Sequence, residues 1–379
     1  MISGAKRLAL AAVYRRAVKS PKPIAILFSD DSTLIFALRM RNELHRAEPL
    51  RPVEMTFFTD ENALSPRQLR QLLPEGPDRI VSGPELVTTL RNDRLAAIIT
   101  SRVYRPLSVA LKRPLNQRAI GRPCVVAFLG GLDFFPEQGF ERRRFCDAVY
   151  LFPQSAILDC RRLNEPPEDR WQELGFGHPA ALMPEATGEE TPQDIFFFTQ
   201  ALSPSTKRGR VHMLRIMIAL ARAYPDRTVW IKLRHLPDEN RNHLHQERHD
   251  YPALLKRMGP LPVNLRLTDM TMEEALEQAG LGITCTSTAA MDIVRAGRPC
   301  MVHLDYVDAY VDPLVPPMRR LFEASGLVTP LEDLLELRAG PPDLDWLADM
   351  FCPRDLGRRV LDTIARFHAA NRSQIKAYK

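Results

Sequence analysis

The sequence predicts an α/β protein of two domains, each a parallel β-sheet wrapped by helices, with the two sheets facing a central cleft. Three observations predict it. Short apolar runs of strand length alternate with helical stretches along nearly the whole chain. The alternation breaks once, at 164–194, where proline, glycine and acidic residues crowd. At 281–299, LGITCTSTAAMDIVRAGRP, a strand, a sharp turn, a short helix, a stop and the next strand follow in the order of a βαβ unit.

The bulk properties agree. A chain of 379 residues exceeds one ordinary core. Its 45% apolar and 26% charged content is that of a soluble globular protein. The net charge of +6 favours anionic partners such as nucleotides, anionic glycans or a lipid surface. It is too mild for a nucleic-acid binder, and no basic patch is interleaved with aromatics. The six cysteines are scattered without a CxxC, so neither a zinc site nor a disulfide framework is indicated, and the pattern fits buried thiols in a reducing cytosol.

At the start of the chain, basic residues flank seven apolar ones at 8–14, too few to span a bilayer. Arg15 and Arg16 follow without a cleavage pattern, so the segment is not a signal peptide. It reads either as a surface helix of the first domain or as a basic amphipathic helix lying on an anionic membrane, which would make the protein peripheral on the inner membrane.

In the first half, IAILF at 24–28 is a buried strand running into Ser29, Asp30, Asp31 and Ser32 and then a helix. Acidic and hydroxyl residues between a strand and a helix stand where open α/β sheets place their sites. Strands follow at 52–58, 78–82, 95–100 and 122–129, separated by helices at 66–73, 84–91 and 106–115. The last of these strands ends in Gly130, Gly131 and Asp133, followed by Glu137 and the cations Arg142, Arg143 and Arg144. A glycine-bearing polar loop at a strand's carboxyl end suits an acceptor. A strand at 146–152 and a helix at 155–164 come next, 175–179 approaches a last strand, and 185–193 is the linker. The first domain is therefore 1–184.

The second half opens on the strand 194–199 and a loop carrying Ser203, Ser205, Thr206, Lys207 and Arg208 before a helix at 211–223. This is a second candidate phosphate cradle, though not a Walker A loop. The strand 228–233 delivers Lys232, Arg234 and His235, a set suited to a diphosphate. The polar run holding His243, His245 and His249 reads as solvated and not as a metal site. A helix at 251–258, a strand at 263–267 and a helix at 271–278 lead into the βαβ unit. There Thr286, Ser287 and Thr288 are predicted to cap a helix over 289–296, with Asp292 near its positive end and Gly297 and Pro299 stopping it. Such an end is an anion site suited to phosphate. The second domain is predicted over 194–352, and 353–379 is a final helix with basic flanks.

These motifs carry a resemblance. Ser29–Asp30–Asp31–Ser32, Cys146–Asp147, Ile231–Lys232–Leu233–Arg234 and the Thr286–Ser287–Thr288–Ala289–Ala290 segment through Pro299 resemble, over most of 24–330, a group of bacterial glycosyltransferase-like proteins of GT-B fold. The segment 308–316 looks expanded relative to that group. The second half is also similar to bacterial sialyltransferases and Kdo transferases. The resemblance implies two Rossmann-like domains, with the C-terminal helix crossing back onto the first. It also implies a metal-independent, inverting glycosyltransferase without a cofactor, joining a nucleotide sugar to a surface glycan or glycolipid. A CMP-sugar is slightly favoured, with UDP- and GDP-sugars open. By this resemblance His235, Ser287 and Thr288 hold phosphate, helped by Ser203, Lys232, Arg234 and Thr286, and Asp292 meets the ribose. Asp133 or Asp30 deprotonates the acceptor, His235 assists departure, and Asp31, Gly130, Gly131, Glu137 and Arg142 lie on the acceptor side. A UDP-sugar epimerase and a non-catalytic GT-B subunit that binds a glycan or a synthase are the alternatives.

Overall fold

The structure, a computed structural model, describes residues 21–91, 93–113, 116, 121–130, 135–163, 171–184, 192–242 and 245–377. The N-terminal segment read as a membrane-surface or surface helix lies outside the described residues, as do Gly131 and Asp133.

The first sheet contains β1 (Ile24–Phe28), β2 (Val53–Phe58), β3 (Arg79–Val81), β4 (Ala97–Thr100), β5 (Cys124–Phe128), β6 (Ala148–Leu151) and β7 (Glu173–Phe176). All are parallel, in the order β3-β2-β1-β4-β5-β6-β7. Its helices are α1 (Asp31–Ala47), α2 (Pro66–Leu72), α3 (Gly83–Leu90), α4 (Arg105–Leu111), α5 (Pro136–Arg143) and α6 (Ser155–Leu163). The second sheet contains β8 (Asp194–Phe198), β9 (Val229–Lys232), β10 (Leu265–Thr268), β11 (Ala279–Thr284) and β12 (Cys300–Val302), parallel, in the order β10-β9-β8-β11-β12. With it come α7 (Lys207–Ala223), α8 (Tyr251–Leu255), α9 (Met272–Gln278), α10 (Ala289–Arg295), α11 (Val315–Phe322), α12 (Leu331–Leu335) and α13 (Leu344–Met350), and the last helix is α14 (Leu356–Ala377).

Strands covered on both faces need unbroken apolar runs. IAILF in β1 and CVVAF in β5 are buried at every position. The edge strand β7, ELGF, is only half-buried, which is why its start at Glu173 has no apolar signature. Strand β11 begins two residues earlier than its apolar run, because its register with β8 shifts between Ala279 and Leu281. At that point a side chain on Gly280 would meet the Pro192 carbonyl oxygen at 1.9 Å.

The chain ends on the first sheet. Helix α14 packs against α1, closest at Gly357, where a Cβ would lie 2.0 Å from the Glu43 carbonyl oxygen. Tyr150 and Thr363 share a hydrogen bond of 2.9 Å, and Arg366 holds Glu173 of β7 at 2.7 Å. Among the described residues no helix is long and apolar enough to cross a membrane.

Candidate functional site

Each sheet has one point where the strand order reverses, between β1 and β4 and between β8 and β11, and parallel sheets bind ligands in the crevice beyond those carboxyl ends. The two crevices belong to facing edges. Asp31, just after β1, meets Arg234, just after β9, at 3.2 Å.

The first crevice holds charges already paired. Asp30 caps α1: it accepts from the Thr33 backbone N–H at 2.8 Å, while the Thr33 hydroxyl oxygen accepts from the Asp30 N–H at 3.0 Å. Its other carboxylate oxygen accepts from Arg102 at 3.1 Å, and Arg102 also pairs with Glu61 at 2.8 Å. Asp30, expected from the sequence as a base, is instead a buried helix cap and ion-pair partner. Nearby, Gly130 would place a Cβ 3.7 Å from the Ser101 carbonyl oxygen. The cation bound there is Arg143, which donates to the carbonyls of Phe128 and Ser101 at the ends of β5 and β4. Arg142 points into solvent, and Glu137 is half-buried in the first turn of α5.

The second crevice is lined by hydroxyls. Gln200 after β8 reaches the Thr286 carbonyl after β11 only at 3.5 Å. The Thr286 hydroxyl is buried and has no hydrogen-bond partner among the described residues. The Ser287 hydroxyl oxygen accepts from the Ala289 N–H at 3.2 Å. Thr288 is exposed and does not cap α10 with its side chain, contrary to expectation. Its backbone is already helical (φ −59, ψ −15), which turns the side chain away from the N–H groups that an extended cap residue would reach.

The other predicted cradle, 203–208, is occupied by the protein's own carboxylates. Asp312 accepts from the Ser205 N–H at 2.9 Å, and Asp308 accepts from the Thr206 hydroxyl at 3.0 Å and lies 3.5 Å from Arg208. Ser203, expected on the donor, is buried against the Tyr306 hydroxyl at 3.0 Å, and Tyr306 in turn donates to Asp312. Asp308 and Asp312, in the segment 308–316, thus close this loop.

The cations after β9 divide into three kinds. Lys232 is buried and donates to the Leu233 carbonyl at 3.1 Å. Burial above all pulls its ammonium down to about 8, against the pull of Glu273 and Asp269. Arg234 faces the cleft through Asp31. His235, expected at the phosphate, is turned inward. Its Nε2 meets Asn240 at 3.0 Å, and Asn240 clamps the backbone of Glu247, so His235 organises the loop after β9. Asp292, expected at a ribose, is held by Arg39 of the first domain at 2.6 Å, and Arg39 also binds Glu273 at 3.1 Å. A third tie joins Arg67 to Glu239 at 2.7 Å and Asp269 at 3.0 Å, and Ser65 donates to Glu239. Burial opposes the charge on Glu239, but Arg67, Ser65 and the Leu236 N–H outweigh it and hold the carboxyl at about 2.

Sequence reasoning missed Arg39, Arg102, Glu273, Gln200 and His245. The first three are legible only through partners far away in the chain. His245, read as solvated, is half-buried, and its imidazole is held below its ordinary pKa first by burial and then by the charge of Arg234. A hollow lined by Val53, Glu54, Asp78, Arg79 and Arg94 lies at the opposite, amino-terminal ends of β2 and β3, away from this chemistry.

The fold is shared with solved structures. UDP-GlcNAc 2-epimerase from Methanocaldococcus jannaschii superposes with a TM-score of 0.57 at 9% identity, covering 91% of this chain and 99% of that one. UDP-GlcNAc 2-epimerase from Neisseria meningitidis, bound to UDP-GlcNAc, gives 0.55 at 12% identity, covering 91% and 100%. The S. aureus MnaA–UDP complex gives 0.55 at 10% identity, covering 92% and 97%. These likenesses make the fold GT-B, two Rossmann-like domains with parallel sheets. No curated protein matches the sequence. Residues 24–366 match the family described as "Putative glycosyltransferase (DUF6716)", and the chain belongs to that family of glycosyltransferases.

Proposed function

We propose that the protein moves a sugar from a nucleotide sugar to a hydroxyl of a glycan or glycolipid, in the cleft between the two sheets, with inversion and without a metal or cofactor. The observation that carries this reading is the β8/β11 crevice. There the buried Thr286 hydroxyl has no partner among the described residues, and Ser287 and the exposed Thr288 stand beside it at a helix start. Lys232 and Arg234 lie on the same sheet edge, where cations meet the charge that grows on a departing phosphate. Inversion is the outcome of a single displacement in which the acceptor oxygen attacks the anomeric carbon opposite the departing phosphate.

The donor we assign is a UDP-sugar. The CMP-sugar reading leaned on a histidine at the phosphate, and His235 is engaged with Asn240 instead. Two of the solved GT-B structures similar to this chain are described with UDP or UDP-GlcNAc bound. Because structures similar to this chain include UDP-GlcNAc 2-epimerases, epimerisation is the second reading.

Calorimetry with UDP, GDP and CMP tests the base, and nucleotide release from each sugar, with and without added glycan hydroxyls, tests the reaction. UDP binding and acceptor-dependent release of UDP are expected. An acceptor-independent epimer of the sugar would replace transfer with the second reading, and binding of CMP alone would overturn the donor.

A further inference from the structure

We propose that Arg210 is a positioning residue of the donor crevice: it fixes the turn after β8 and so sets the Gln200 side chain beside Thr286. The inference rests on the nucleotide-sugar reading and adds to it the residue that shapes the nucleotide's site.

The sequence puts an arginine at the fourth position of α7. Helix side chains lean toward the helix N-terminus, so this one reaches back over the turn that leads into the helix. The turn lies close because residue 209 is glycine. A Cβ there would stand 2.9 Å from the Pro204 Cβ and from the Val307 carbonyl oxygen. Arg210 is only 2% exposed, and its guanidinium lies over the buried Tyr251 ring, 4.9 Å from the centroid.

A buried guanidinium needs acceptors for all five of its N–H groups. Nε donates to the Pro204 carbonyl at 2.9 Å. Nη2 donates to the carbonyls of Gln200 at 3.2 Å and Ala201 at 2.5 Å. Nη1 donates to the His249 carbonyl at 3.0 Å and to the Glu247 carboxylate. Three of these five acceptors are backbone carbonyls of one turn, 200–204, which lies beyond the end of β8 and before the start of α7. The opposite side is anchored as well. Asn240 accepts from the Glu247 N–H at 2.6 Å and donates to the Glu247 carbonyl at 2.8 Å.

The consequence falls on Gln200. Arg210 holds its backbone carbonyl, and its side-chain oxygen accepts from the Leu202 N–H at 2.9 Å. With both held, the amide nitrogen is left toward the Thr286 carbonyl, 3.5 Å away at the mouth of the β8/β11 crevice. A hydrogen-bond donor is thus kept beside the residue whose buried hydroxyl has no partner among the described residues. Stability alone is a poor reason for this arrangement, since apolar residues of similar volume often replace a buried ion pair at no loss.

The test measures UDP binding to folded protein by calorimetry. Arg210→Lys keeps a cation but cannot bridge the turn, and the Kd for UDP should rise about tenfold. In a Gln200→Ala background the same change should raise it by no more than about twofold, because both act through one side chain. That lack of additivity is what a merely structural role would not produce. A Kd unchanged by Arg210→Lys, or a full tenfold loss on top of Gln200→Ala, would overturn the proposal.

If Arg210→Lys does not fold, Glu247→Gln replaces one charged acceptor by a neutral one of the same shape. Its Kd should rise about threefold, again without adding to Gln200→Ala, and an unchanged Kd would overturn the proposal. If UDP does not bind the unaltered protein, the donor reading fails and amide exchange decides the rest. The Leu202 N–H should exchange about tenfold faster in whichever variant folds, while amides inside α7 such as that of Leu214 keep their protection. Equal Leu202 exchange in variant and unaltered protein would mean that Arg210 does not set the turn.

Discussion

The two switch-point crevices use the same topology in opposite ways. At β1/β4 every charge has a partner: Asp30 is shared between Thr33 and Arg102, Arg102 between Asp30 and Glu61, and Asp31 is bound to Arg234. At β8/β11 the groups are neutral hydroxyls, one of them buried and unpaired among the described residues. A buried polar atom without a partner costs stability, so its retention at the mouth of a crevice points to a ligand that completes it. Ser29 after β1 also has a buried hydroxyl without a partner among the described residues, so what separates the two crevices is the charge around it: paired carboxylates and cations at β1/β4, neutral hydroxyls at β8/β11.

That contrast breaks first if the charge pairs carry no weight. Arg39→Met takes from the buried Asp292 carboxylate its partner at 2.6 Å and leaves it, among the described residues, only Arg295 at 3.8 Å. Removing one partner of a buried pair costs about 3–5 kcal/mol, and urea unfolding should show a loss of that order. A loss below about 1 kcal/mol would mean that water screens the pair as it does on a surface.

In the other crevice, stability and binding should move in opposite directions. Thr286→Val removes a hydroxyl that finds no partner among the described residues, so the free protein should be as stable or slightly more so. The same change should weaken UDP binding by about 1–3 kcal/mol, as should Ser287→Ala with Thr288→Ala, through lost hydrogen bonds to a charged group. Calorimetry beside thermal melting separates the two effects. A destabilised Thr286→Val protein with unaltered affinity would mean that the hydroxyl serves the fold alone. In the first crevice Asp30→Ala should do the reverse, costing about 1 kcal/mol of stability through its cap and leaving UDP affinity in place.

Much of this fold is written locally. Strands such as β1 and β8 show themselves as apolar runs because both faces of a parallel sheet are covered. The half-buried β7 hides, since it borrows its cover from α14. The site is less legible, because one residue type serves two purposes. Asp30 followed by Thr33 is a capping pattern as much as an acidic loop, and the structure uses it as a cap. The Cys146–Asp147 pair, part of the family resemblance, is a brace: Asp147 binds Arg122 at 2.6 and 2.7 Å and the Val125 N–H at 2.8 Å. What no local pattern could show is pairing at a distance, as between Arg39 and Glu273, 234 residues apart.

The last effect expected is the one whose sign is least intuitive. Lys232 is held at about 8 by burial, against an unfolded value near 10.4. Between those values the unfolded chain binds more protons than the folded one, so this residue makes the protein more stable as pH rises from about 8 to about 10. Phosphate binding asks for the opposite, because it needs the ammonium charged. With a midpoint near 8, about half the lysines have lost their proton at that pH, so UDP affinity should fall about twofold between pH 7 and 8 and further by pH 9. One side chain thus predicts stability and affinity moving apart over the same interval. Lys232→Met should flatten both trends, read by urea unfolding and by calorimetry across that range. If affinity in the variant still declines with the same midpoint, the titrating cation is another group and Lys232 does not face the phosphate.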